Sequence, residues 1–193
     1  IKYSALIFIA GSVAMMLLDL DKVMIEYYLP IENVAIYGIS IYIASVIAVP
    51  SRAMHQITYP LTAQLLTDKD YAGLKNLYQR SSNTLLIVGG LIFLLIICNV
   101  GELYEMIPQD YHIGFSIVIL IGIVKLYENL IGNNNSILFN SDYYRLVLAI
   151  GVLCAVMAVV LNILLIPKFG VYGASYATFI AFFTYNTVKL IVV

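Results

Sequence analysis

Leu146–Val193 reads L-V-L-A-I-G-V-L-C-A-V-M-A-V-V-L-N-I-L-L-I-P-K-F-G-V-Y-G-A-S-Y-A-T-F-I-A-F-F-T-Y-N-T-V-K-L-I-V-V. An almost uncharged run of about 20 residues is long enough to cross the hydrocarbon core of a bilayer as a helix. Proline, a cation and glycine interrupt it together at Pro167-Lys168-Phe169-Gly170, and a second apolar run begins at once. Two spans joined by so tight a turn lie antiparallel and side by side. Gly173, Ala174, Ser175 and Ala177 crowd the start of the second run. Small residues let helix backbones approach closely where lipid removes the usual hydrophobic drive.

The rest of the chain repeats this character. Of 193 residues, 62% are hydrophobic and 11% charged, with a mean hydropathy of +0.96. A soluble domain carries about a quarter charged residues, so the solvent for much of this surface is lipid. The net charge of −1 offers no basic field for nucleic acid. Cys98 and Cys154 sit inside apolar runs without metal-ligand or redox spacing. The expected fold class is therefore all-α, a polytopic membrane helical bundle.

Six candidate spans emerge, at about 3–20, 33–50 (continuing as a helix to about 66), 83–100, 113–131, 146–166 and 171–193. Residues 62–82 alternate Leu65, Leu66, Leu74 and Leu77 with charges, the pattern of an amphipathic cytoplasmic connection lying in the interface. The chain starts directly in one span and ends in another, from which a longer protein is expected. With residue 1 cytoplasmic, the inner side collects Lys2, Lys69, Lys75, Arg80, Arg145 and Lys189, against Lys22 and Lys168 outside. The positive-inside rule selects this orientation. Tyrosines near the proposed boundaries, among them Tyr27, Tyr28, Tyr104, Tyr143 and Tyr172, read as interfacial belts. Ile36-Tyr37-Gly38-Ile39-Ser40 and Val171-Tyr172-Gly173-Ala174-Ser175 echo one another, a pattern open to repeat or convergence.

Ionisable groups at membrane depth are expensive, so each raises a functional question. In V-P-S-R-A-M-H-Q-I-T-Y-P, Arg52, His55 and Gln56 share a helix face between Pro50 and Pro60. That is either a cationic stripe on a water-filled cavity suited to phosphate, or an arginine snorkelling to headgroups. Lys125 and Glu128, three apart, share a face in the fourth span, as a self-neutralising pair or as cavity lining. Asn129 and Asn133 extend that polar sector, and the helix is expected to break near Gly132. Asn162 and Asn186 read as interhelical hydrogen-bonding residues. No nucleotide loop, metal-ligand cluster or Ser/His/Asp arrangement is visible. The expectation is a protein that is not an enzyme and needs neither cofactor nor metal.

Several stretches, in this order, resemble the polysaccharide and O-antigen flippases of the multidrug/oligosaccharidyl-lipid/polysaccharide exporter superfamily. They are Asp21-Lys22-Val23-Met24-Ile25, V-A-I-Y-G-I-S-I-Y-I-A-S, V-P-S-R-A-M-H-Q-I-T-Y-P, L-K-N-L-Y-Q-R-S-S-N, the tyrosine pair before Arg145, and L-N-I-L-L-I-P-K-F-G-V-Y-G-A-S-Y-A-T. The resemblance covers essentially residues 1–193 and implies one six-helix lobe, the C-terminal half of a two-lobe transporter. It further implies a missing N-terminal six-helix lobe as partner and a bacterial inner (cytoplasmic) membrane location. The implied cargo is an undecaprenyl-pyrophosphate-linked oligosaccharide, moved by alternating access, with Arg52 toward the pyrophosphate. The resemblance assigns no role to Lys125 or Glu128. Two other readings stay open: a cation-coupled multidrug exporter of the same superfamily, and a non-transporting membrane assembly subunit.

Overall fold

The computed structural model describes residues 19–107, 111–141 and 143–192, almost all of them helical. The first expected span, 3–20, lies almost wholly outside the described residues. A helix over residues 19–28, α1, is followed by α2 (Glu32–Ser45), a 3-10 turn (Val46–Ala48) and α3 (Val49–Thr67). Then come α4 (Tyr71–Glu105), α5 (Gly114–Leu130), α6 (Asn134–Asn140), α7 (Tyr144–Phe169) and α8 (Val171–Val192). By length and composition, Glu32–Thr67, Tyr71–Glu105 and Ala149–Phe169 can each cross a membrane. The pair α5 and α6, bent by 59°, makes a fourth if it crosses as one broken span. α8 is also 22 residues long, but Ser, Thr, Asn and Lys on its buried face make it more polar than these.

α5 is the centre of the bundle, packed against α2, α4 and α8. Ile117 and Ile121 of α5 meet Ile25, Tyr37, Ala44, Ile166 and Ala174 in the main core, while Val118 joins Val100 and Tyr104 in a second. Tyr104 is thus a core residue and not part of a belt; its hydroxyl meets that of Ser40 at 3.0 Å. Tyr27 and Tyr143 are exposed, as a belt requires.

Residues 62–82 do not form one interfacial helix. α3 ends at Thr67 in a Schellman turn: Asp70 N–H donates to Leu65 O at 2.9 Å, Lys69 N–H donates to Leu66 O, and Lys69 adopts φ 56°. Asp70 then caps α4 by accepting from Gly73 N–H at 2.9 Å. Both helices belong to a long hairpin, and the Leu/charge alternation reflects two helix ends.

The α7–α8 hairpin has the expected closeness. Pro167 is accommodated inside the last turn of α7, and the break falls at Gly170, with φ 60° and ψ −140°. A Cβ on Gly173 would strike the carbonyl of Leu165, so α8 begins pressed against the α7 backbone. The Tyr-Gly echo is not structurally equivalent, since a Cβ on Gly38 meets nothing within 4 Å.

Two glycines therefore close this hairpin by different means. Gly170→Ala forces a side chain into a conformation close to glycine-only space, a cost of about 1–3 kcal/mol, and Gly173→Ala wedges the helices apart. Both should lower the thermal midpoint, followed in a Cys98→Ser background through labelling of the partly buried Cys154 by a thiol-reactive dye, whereas Gly38→Ala should leave it unchanged.

Candidate functional site

Depth in the bundle is set by Asn129. Its Nδ2 donates to the carbonyl of Ile47 at 2.8 Å, and its amide sits where a Cβ on Gly89 would be. Ile47 and Gly89 are thereby level, each within the apolar part of its helix. Glu128, next along α5, lies at this depth. Arg52, five residues beyond Ile47, is by helix rise about level with the change in α4 from Ser82-Asn83-Thr84 to its apolar run.

The sequence-selected residues separate into three groups. Lys125 Nζ donates to Glu128 Oε2 at 3.0 Å and lies 5.7 Å from the centroid of the Phe182 ring. The pair's side chains are 24% and 30% exposed, so it neutralises itself and still reaches the surface. Half-buried His55 of α3 is within electrostatic range of Glu128. Arg52 and Gln56 are exposed on the outer side of α3. Asn129 and Asn133, expected in a cavity lining, are instead buried ties between helices: Asn133 Nδ2 meets Thr62 Oγ1 at 2.5 Å.

The helix break forms as expected and is anchored from several sides. Gly132 has φ 53° and abuts the backbone of Ser82, whose hydroxyl donates to Leu130 O. Asn134 Nδ2 donates to Lys189 O at 3.2 Å, and Lys189 Nζ donates to Asn135 Oδ1 at 3.0 Å while lying 4.2 Å from the centroid of the Tyr185 ring. Lys189 looked like an inner-side surface charge in the sequence. Its burial becomes visible only once α8 is docked on the break.

Asp21 is the residue that sequence reasoning missed. Its Oδ1 accepts from Asn162 Nδ2 at 2.7 Å, and its Oδ2 accepts from Tyr37 OH at 2.9 Å and Thr178 Oγ1 at 2.5 Å. One carboxylate gathers α1, α2, α7 and α8. Asn162 is the interhelical residue expected, while Asn186 is buried with its Nδ2 unpartnered among the described residues. Among the described residues no three His, Cys, Asp or Glu side chains converge on a metal-sized site. The Asp21 group nonetheless offers carboxylate and hydroxyl oxygens, the donor type that hard cations take.

No family model matches the chain, and no curated protein or solved structure matches it.

Removing the Asp21 carboxylate strands the Asn162 amide and one of the Tyr37 and Thr178 hydroxyls, which lie 3.0 Å apart and can pair with each other, and each unmet buried group costs about 1–3 kcal/mol. Asp21→Ala should therefore lower the thermal midpoint more than Asn162→Ala, which strands only part of the group. Equal midpoints for the two variants would show that the carboxylate does not organise these helices.

Proposed function

We propose that the chain is one lobe of a flippase, moving an undecaprenyl-pyrophosphate-linked oligosaccharide across the cytoplasmic membrane together with a second six-helix lobe. The observation that carries this reading is how the outer surface divides. The exposed residues of α4 within its apolar stretch include Leu86, Ile87, Leu91, Leu94 and Leu95; those of α7 include Val152, Leu153, Val156, Val160 and Leu164. Only 17% and 11% of the apolar windows of these two helices is buried, so these are lipid faces. Along α2 and α3 the exposed surface is mixed: Tyr42, Val46, Val49, Ile57, Tyr59 and Leu61 are interspersed with Arg52 and Gln56.

Arginine and glutamine on the exposed side of α3, and a partly exposed Lys125–Glu128 pair on α5, are poorly suited to lipid. A water-filled cavity closed by a second lobe suits them well. Arg52 has the forked, permanently charged group that binds two phosphate oxygens at once. The sequence resemblance supports the same assignment, with six spans, residue 1 cytoplasmic, and α8 and residues 3–20 counted among them. The Asp21 group favours one second reading, a cation-coupled exporter of the same superfamily. In it the lobe architecture is kept and the cation, not the glycan lipid, is the ligand of the oxygen-rich site.

Two measurements follow. In a cysteine-free background, labelling intact cells from outside should mark Glu105→Cys and spare Lys75→Cys; the reverse would overturn the orientation. Surface glycan display in a flippase-deleted strain reports on Arg52. Arg52→Lys keeps the charge but loses the fork, so display should fall about tenfold at equal expression, and Arg52→Gln should fall further. Normal display by both variants would remove Arg52 from the cargo site.

A further inference from the structure

The ion group around Glu128 is unbalanced. Lys125 is 3.0 Å from Glu128, and Lys189 of α8 and His55 of α3 lie within electrostatic range of the same carboxylate. Two lysines therefore share one acid. Lys189 is 2% exposed, and among the described residues the partners of its ammonium are neutral: the Asn135 amide oxygen and the Tyr185 ring. A cation held in a low-dielectric interior without its own anion is unfavourable. A second buried group has the same need, because Asn186, one turn before Lys189, is 1% exposed and its Nδ2 finds no acceptor among the described residues. The Lys125–Glu128 pair in front of them is open to the surface.

We propose that this group is an anion-receiving subsite in which Glu128 stands in for the cargo's anion. In the empty state the carboxylate occupies Lys125. An arriving phosphate-class group takes the carboxylate's place against the Lys125 ammonium, drawn by the excess positive potential of Lys189, and Glu128 returns when that group leaves. No covalent bond changes. The inference rests on the reading of the polar face as a cavity wall, and it places the anionic subsite deeper than Arg52, so the two cations act in succession. Its distinctive consequence is one of sign. A carboxylate that merely braces the bundle should weaken ligand binding when removed, whereas one that competes with the ligand should strengthen it.

The test uses the full-length chain in lipid nanodiscs, with inorganic pyrophosphate as the probe and calorimetry at fixed ionic strength. Glu128→Gln should tighten pyrophosphate binding on the order of tenfold, and Lys125→Gln and Lys189→Gln should weaken it by a similar factor. Because Lys189 also holds α6, the more exposed Lys125→Gln carries the weakening arm should Lys189→Gln fail to assemble. Unchanged or weaker binding by Glu128→Gln overturns the proposal, as does absence of binding by both the unmodified chain and Glu128→Gln. Glycan export by the Arg52 variants is scored separately. Tightened binding in Glu128→Gln, with no rescue of glycan display by the unmodified chain, would keep this subsite and set aside the lipid-linked oligosaccharide as cargo.

Discussion

A proline without a proton governs the middle of this bundle. Pro50 has no N–H, and in the i→i+3 spacing of the 3-10 turn at Val46–Ala48 the carbonyl that faces it is that of Ile47. A bare carbonyl at hydrocarbon depth costs several kcal/mol by general estimates. Asn129 supplies the missing donor. To reach Ile47 its amide passes over α4 where Gly89 leaves room. One absent hydrogen on α3 thus fixes the depth of α5, the residue type on α4, and the position of Glu128 beside them.

The same constraint explains why the interior is rich in amides and hydroxyls. Where helices break or end, backbone carbonyls are released, and several are met by side chains from elsewhere: Ser82 on Leu130, Asn134 on Lys189, Asn129 on Ile47. Where hydrophobic burial gains little against lipid, such contacts and close small-residue packing set the helix order. The Asp21 group does for one end of the bundle what the α5–α6 break does for the other, drawing several helices onto one polar point.

This division also marks what could be read in the sequence. Local patterns were legible: apolar length for α3, α4 and α7, the small residues that seat α8 on α7, and the break after Leu130, where glycine precedes three asparagines. Lys125 and Glu128 were legible because both belong to one helix. Asp21 was not, since its partners come from residues 37, 162 and 178, and beside Lys22 it resembles a boundary charge. Asn129 and Asn133 looked like cavity groups because the carbonyl and hydroxyl they satisfy belong to other helices. The turn at Asp68–Asp70 was concealed for another reason: a lysine holds the left-handed position that glycine commonly marks.

The long hairpin carries a mechanical consequence. α4 has 35 residues, so at 1.5 Å per residue it is roughly 50 Å long against a hydrocarbon core of about 30 Å. The Schellman turn therefore stands well clear of the apolar layer at the end of a rigid arm whose fixed point is the Asn129 contact. From Ile47 to that turn is about 30 Å, so a tilt of about 10° at the fixed point displaces the tip by roughly 5 Å. Small rearrangements among the buried amides are in this way geared up into movements large enough to be felt in the aqueous phase, and a load applied at the tip is transmitted back to them with the opposite advantage.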